Sequence, residues 1–429
     1  MVRNAFTAGI DFTQYFKNRL YYIDVKGMLS SLHGSAGAIT ALQNSVAHYY
    51  QRASSADYLG VDPTRRSLTG TGGYVKVGRK GNAKWNFSET FTWSSPGFDL
   101  NDMGYMKETD YLMNETEIMY RQTDIWKIFR YNAFTLSQKN MWNYGGTPFS
   151  NNASLRWQSM TMNRYEWDVK ETFAWNWLDS RLLRGGPDVR FGSYFLTSAK
   201  FNTDKAKRMM FMLKYEGDHN FEGNRFNTIS PSLTFRLGNH VYLSGQLDYA
   251  WNTDEMQYVA TTSPLSSSSL APYYYVMGHM DQKTYGLTLK LQVNVTPDIS
   301  IQFYGAPFTS IAKYDDFKLA ADTKSHTFEN RFQRIDPDQL TYADGVYTIG
   351  EGAGQMPFRN PDFRFNEFRS NLVARWEYLP GSTLYFVWEH RMSNRDNWYS
   401  SGWGSNLDRM WGLPATNTFM IKMNYWFNL

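Results

Sequence analysis

The chain has 429 residues, 17% of them aromatic (15 Trp, 30 Tyr, 29 Phe), yet hydrophobic residues reach only 42% and mean hydropathy is −0.54. With 44 basic and 40 acidic residues the formal net charge is +4. That balance, without a dense basic run, speaks against nucleic acid as a partner. No apolar run approaches the ~18 residues of a transmembrane helix, and zero Cys fits an envelope protein with no use for thiols.

Taken in chain order, period-two alternation predicts strands near 3–14, 19–31, 71–79, 84–94, 111–121, 127–139, 153–162 and 164–176, then 190–200, 207–218, 227–236, 241–252, 284–295, 299–311, 368–378, 383–392 and 418–428. The clearest run sets Leu287, Leu289, Leu291 and Val293 against Thr288, Lys290, Gln292 and Asn294. Another sets Trp167, Val169, Phe173 and Trp175 against Glu166, Asp168, Lys170 and Thr172. Such runs are about ten residues long, the length a tilted strand needs to cross a bilayer. The convincing helical stretch is Ala36–Ala53, with Ile39, Leu42 and Val46 near one face. It is expected to fold inward or to remain an outer loop helix.

The connections carry a second pattern. Short turns such as Lys80-Gly81-Asn82, Thr296-Pro297-Asp298 and Leu379-Pro380-Gly381 alternate with long segments near 32–70, 95–110, 253–283, 312–367 and 393–417. Short periplasmic turns against long extracellular loops are the asymmetry of outer-membrane barrels. The expected fold is therefore an all-β, antiparallel transmembrane β-barrel of about 17 visible strands, one domain over 1–429, with 32–70 and 312–367 as long extracellular loops. The C-terminal strand is expected to end in the periplasm. An odd count conflicts with the even numbers of bacterial single-chain barrels. Met1–Thr7 also lacks the apolar core of an export signal. Both suggest the C-terminal part of a larger barrel.

On this reading Arg164, Lys170, Arg236, Lys290, Arg375, Glu377 and Lys422 face a wet lumen, beside Glu166, Asp168, Lys214 and Glu216. Their mixed signs do not reveal an ion selectivity. Asp99, Asn101 and Asp102 after a Pro-Gly turn are spaced like Ca²⁺ ligands, although a turn stabilised by its own side chains explains them as well. The acidic residues of 312–367 offer a second place for a divalent ion bridging lipopolysaccharide, or a solvated surface. Trp398, Tyr399, Trp403 and Trp411, among Asn, Asp and Arg, suit glycan contact, and equally a membrane girdle. Enzyme signatures are poor: seven His show no metal spacing, and His390 and Glu389, adjacent on a strand, face opposite sides.

Three segments together resemble one known family. They are Gly34-Ser35-Ala36-Gly37-Ala38-Ile39 leading to Ser45-Val46-Ala47-His48-Tyr49-Tyr50-Gln51-Arg52, then Ser95–Tyr105, then Asn371–Tyr385. They look like the C-terminal barrel of a Bacteroidetes outer-membrane family of unassigned function, whose members usually carry an N-terminal domain similar to family 9 carbohydrate-binding modules. The resemblance implies location and gives no catalytic residues. The expected function is non-enzymatic: envelope transport or surface glycan handling, with membrane lipid, lipopolysaccharide, a glycan or envelope proteins as partners. A structural barrel anchoring an envelope complex is the alternative, and a barrel-embedded hydrolase acting through His390 or Ser35 the third.

Overall fold

The computed structural model describes residues 2–52, 57–101, 104–238, 240–265, 273–396 and 403–427. Strands account for 65% of the chain and helix for 6%. The main sheet has eighteen strands, of which seventeen are long and one is the three-residue Phe332–Arg334. The long ones are β1 (Val2–Phe16), β2 (Tyr21–Gly34), β3 (Ser67–Arg79), β4 (Trp85–Ser94), β5 (Tyr111–Gln122) and β6 (Phe129–Trp142). Next come β7 (Pro148–Thr161), β8 (Glu166–Trp175), β9 (Tyr194–Asn202), β10 (Met209–Asn220), β11 (Arg225–Leu237) and β12 (Val241–Thr262). The last are β13 (Tyr274–Asn294), β14 (Ile299–Ala320), β15 (Phe363–Leu379), β16 (Ser382–Asp396) and β17 (Thr416–Asn424). Each pairs antiparallel with the next in the chain, a pure meander. Among the described residues the sheet is open: β1 pairs with β2 alone and β17 with β16 alone.

The meander follows from local chemistry. Turns such as 80–82 and 380–381 place Gly81 (φ 116°) and Gly381 (φ 79°) in the left-handed region, where a side chain would be strained. Directly paired residues point the same way, so the registers carry each face across the sheet. Lys170 pairs with Ser198, Ser198 with Glu216, Glu216 with Thr228, Thr228 with Ala250, and Ala250 with Thr284. This face is concave, because a cavity of about 540 Å³ touches Glu115, Ser137, Ser154, Lys170, Ser198, Glu216 and Phe226 on seven successive strands. The convex face exposes Phe12, Phe87, Ile118, Leu136, Leu155, Leu247, Leu289, Phe386 and Ile421.

Aromatic rings gather at two levels on the convex side. Near the short turns Trp85 meets Tyr120 at 5.0 Å and Trp167 meets Phe201 at 4.4 Å. Toward the long loops Phe173 stacks on Trp175 and Tyr249 on Tyr285, at 5.7 and 5.0 Å. Between the two levels the convex wall is largely aliphatic over β12 to β16 and carries polar side chains over β4 to β9.

All seventeen expected strands are present, with three departures. β12, β13 and β14 continue about ten residues past the expected ends, so the segment expected as loop 253–283 shrinks to 263–273 and 312–367 to 321–362. The extensions lack clean alternation because loop residues cover both their sides. Long and short connections do not alternate strictly: 143–147 and 221–224 lie at the long-loop end and are short. The expected helix 36–53 is only α1 (Ala36–Gln43), capped by the Ser35 side chain accepting from Ala38 N–H, and turns follow it. A second helix, α2 (Trp403–Trp411), lies within the segment expected as loop 393–417.

Candidate functional site

The polar chemistry concentrates at the long-loop end, where loops cover the mouth of the concave face. α1 leads: Ile39 is fully buried in a cluster with Leu32, Tyr50 and Leu68. Leu32 and Leu68 are paired residues on the concave side of β2 and β3, so this loop folds inward. The loop after β4 follows it. Phe98 and Gly97 lie so close to β3 that a Cβ on Gly70 would sit 2.1 Å from the Phe98 nitrogen. The Asp99 N–H donates to Ser30 Oγ at 2.8 Å on β2.

A buried network locks these two loops. His48 Nε2 lies 3.1 Å from Asp99 Oδ2, with side-chain exposures of 0% and 5%. Its Nδ1 lies 2.9 Å from the Pro96 carbonyl. Both ring nitrogens thus face oxygen atoms. Thr109 Oγ1 sits 3.2 Å from Nδ1 and within reach of the Ala47 and Pro96 carbonyls. Burial alone would raise the Asp99 pKa, but the hydrogen bonds from His48 and the Asn101 N–H outweigh it and hold the carboxyl below the usual range.

Alongside it, Arg52 donates to Asp110 Oδ2 at 2.6 Å and to Ser180 at 3.1 Å, and the Tyr58 hydroxyl donates to Asp110 at 2.6 Å. Burial, then the Asp110 contact, pushes the Tyr58 hydroxyl far above its ordinary pKa. Arg181, from the loop after β8, reaches the Val46 and Lys107 carbonyls and Glu108. Three successive loops are therefore tied together by two guanidinium groups and one imidazole.

A second lock holds loop 321–362. Arg331, 1% exposed, pairs with Glu222 and donates to the Arg190 and Ser325 carbonyls. Lys318 is equally buried, 3.4 Å from Asp316 and facing the rings of Phe328 and Phe332. His279, on the projecting part of β13, lies 3.0 Å from Glu255. Burial opposes its proton, but the Glu255 hydrogen bond and charge, with Asp281 and Asp315, raise its pKa.

Below the loops the concave wall stays open and polar. Lys170 lines the 540 Å³ cavity. Lys290 lines another of about 360 Å³ with Tyr242 and Gln292. Arg236 lines one of about 370 Å³ at the short-turn end with His240. Arg375 pairs with Glu377 at 2.5 Å on the same face, and Lys422 shares it through its pairing with Tyr385. Arg164 departs from expectation: it occupies the turn between β7 and β8 at φ 61° and pairs with Asp204 in the neighbouring turn at 3.1 Å.

The remaining candidates are dispersed. Asp99 and Asn101 are engaged inside their own loop, where Asn101 Oδ1 accepts from the Met106 N–H at 2.9 Å. Asp102 lies outside the described residues, and among those residues no cluster of three His, Asp or Glu could hold a metal ion. In the acidic loop, Asp316 faces Lys318 and Arg334, and Asp336 caps a short turn. Trp398 and Tyr399 also lie outside the described residues. Trp403 opens α2, and Trp411 meets Phe368 edge-on at 4.8 Å on the convex side. Sequence reasoning missed Arg52, Asp110, Lys318 and Arg331. Arg52, Asp110 and Arg331 sit in loops and Lys318 on the loop-covered end of β14, where burial leaves no pattern to read.

An all-antiparallel meander with a polar concave wall and interlocked loops defines the architectural class. Residues 35–429 match the family described as Domain of unknown function (DUF5916), and the chain belongs to that family. No curated protein matches it. The chain is also similar to the crystal structure of the siderophore receptor PirA from Acinetobacter baumannii, at 9% identity and a TM-score of 0.40, over 98% of this chain and 70% of that one.

Proposed function

We propose that this chain forms the wall of a non-enzymatic outer-membrane β-barrel that passes or holds solutes beneath a gate of interlocked loops. The observation that carries the reading is the division of faces. The registers place an exposed apolar wall between two aromatic levels on one side, and charged residues lining cavities on the other. A soluble sheet would expose neither Leu247, Leu289 and Ile421 nor the rows of Trp and Tyr beside them. On this reading the long loops face outward, toward lipopolysaccharide and glycans, and the C-terminus faces the periplasm.

Closure is part of the proposal. In hydrocarbon every edge N–H and C=O requires a partner. β1 and β17 run in the same direction, so an antiparallel closure takes an odd number of further strands between them. From the sequence resemblance we carry two finer proposals, a Bacteroidetes source and work beside a carbohydrate-binding module.

The gate is proposed from His48, Asp99, Arg52 and Asp110, which hold the inward loops over the cavities. Reconstitution into planar bilayers tests the function, and discrete conductance steps are the expected result. A second reading, an anchor that conducts nothing, is favoured by the density of the same loop network. Membrane-resident but silent protein would select it. The hydrolase reading finds its two residues far apart in role: Ser35 caps α1, and His390 meets Asn417 at 2.8 Å on the convex side.

A further inference from the structure

The convex wall is not uniform, and its exception sits at mid-height. Over β12 to β16 the convex residues between the aromatic levels include Leu243, Leu247, Leu289, Leu291, Ile301, Phe303, Leu372 and Phe386 and carry no carboxylate; the ionisable group in their rows is His390, held by Asn417. Over β4 to β9 the same band carries Glu89, Asn114, Thr116, Gln138, Asn140, Glu171 and Thr197. The registers fix this placement. Glu89 pairs with Thr116 and Thr116 with Gln138, while Glu171 pairs with both Leu155 and Thr197. Leu155, Leu136 and Ile118 in the same rows are among the exposed convex residues. Thr116 donates to Glu89 at 2.6 Å and Thr197 to Glu171 at 2.7 Å, which leaves carboxylates, amides and hydroxyls facing outward.

Such groups are costly against lipid tails, and ionisable residues at that depth mark a function. We infer that this wall, centred on β7, docks a second copy of the same chain. The inference rests on the membrane reading above. The patch contains both halves of a hydrogen-bonded interface: amide donors on Gln138 and Asn140, and carboxylate acceptors on Glu171 and on Glu89, to which the Asn114 amide already donates. Lipid offers neither. Two copies in one membrane share its normal, so a twofold axis along that normal at β7 sets β6 of one copy opposite β8 of the other. Leu155 pairs with Glu171 on β8 and with Leu136 on β6, and Gln138 lies one diagonal step along β6, so the amide of each copy is brought toward the carboxylate of the other. The two Glu89 side chains, three strands away from the axis, stay well separated.

Because the chain has no Cys, single cysteines report cleanly. In native membranes Leu155→Cys should form an oxidised species at twice the 50.0 kDa chain mass, while Leu289→Cys on the opposite wall should not. Replacing Gln138 and Glu171 together by Leu in the Leu155→Cys background should lower that yield about tenfold, since a few membrane hydrogen bonds are lost, while the folded, heat-sensitive band is kept. Equal yields at both cysteines, no cross-link in membrane-resident protein, or a cross-linked species of any other mass would overturn the docking inference alone. Recovery of the chain in the soluble fraction would overturn the membrane reading and this inference with it.

Discussion

Nε2 of His48 lies 3.1 Å from Oδ2 of Asp99, and neither side chain is more than 5% exposed. The two residues come from two different loops, and both belong to the segments that carry the family resemblance in the sequence. Their contact joins the first inward loop to the second, and Thr109 and the Pro96 carbonyl complete the polar shell. Removing one partner leaves a buried charge unpaired, at a cost of about 3–5 kcal/mol. His48→Ala should therefore release the loops, raising single-channel conductance and exposing 95–110 to protease. Wild-type conductance and protection in this variant would show that the pair does not hold the gate.

The Arg331–Glu222 pair is expected to act in the same way on loop 321–362. Arg331→Met leaves Glu222 beside buried backbone and should lose hydrogen-exchange protection around 325–334, with local destabilisation on the order of 3 kcal/mol. Adding Glu222→Leu should recover part of the loss, because two apolar groups then replace an ion pair. A double variant no better than the single one would indicate that the carbonyl contacts of Arg331, not its charge partner, matter most.

Two groups give pH dependences of opposite sign. Asp99 has a lowered pKa in the folded protein, so its stabilising contribution is present above the ordinary carboxylate value and lost as pH falls through the lowered one. His279 has a raised pKa. Its contribution is complete below the ordinary value of 6.5 and lost as pH rises through the raised one. Hydrogen exchange along 274–283 should accelerate above that ordinary value, and His279→Asn should flatten the response. Faster exchange toward acid pH in that segment would contradict the assignment.

The division of faces predicts a sharp contrast between neighbours. Leu289→Arg on the convex wall should destabilise insertion by roughly 2–4 kcal/mol, the midplane cost for a barrel. Lys290→Leu, one residue on and facing the cavity, should change it little. Equal effects on folding into vesicles would mean that the faces are wrongly assigned.

The strands were legible because a wall with unlike sides writes itself into the sequence: Leu287 to Val293 alternates with Thr288 to Asn294, and β13 lies there with that face outward. Lumen candidates followed by the same parity, and Arg164 failed because a four-residue turn, not a strand, holds it. The loop network was not legible. Arg52 meets Asp110 58 positions away and Arg331 meets Glu222 109 positions away, and no local period links such partners. Asp99 was seen as a Ca²⁺ ligand or a turn stabiliser, because its spacing to Asn101 shows while the approach of His48 does not. The ends of β12 to β14 were missed for a related reason: cover from loop 321–362 buries Val276, Met280, Ala312 and Tyr314, hiding the alternation.

The measurement that bears most directly on the central claim is the behaviour of the chain in membranes. Expressed with an export signal, it should remain in the outer-membrane fraction after carbonate and urea washing and migrate faster in detergent gels when unheated, as a folded barrel does. Protein released by the wash, or a soluble monomer whose migration ignores heating, would contradict the barrel.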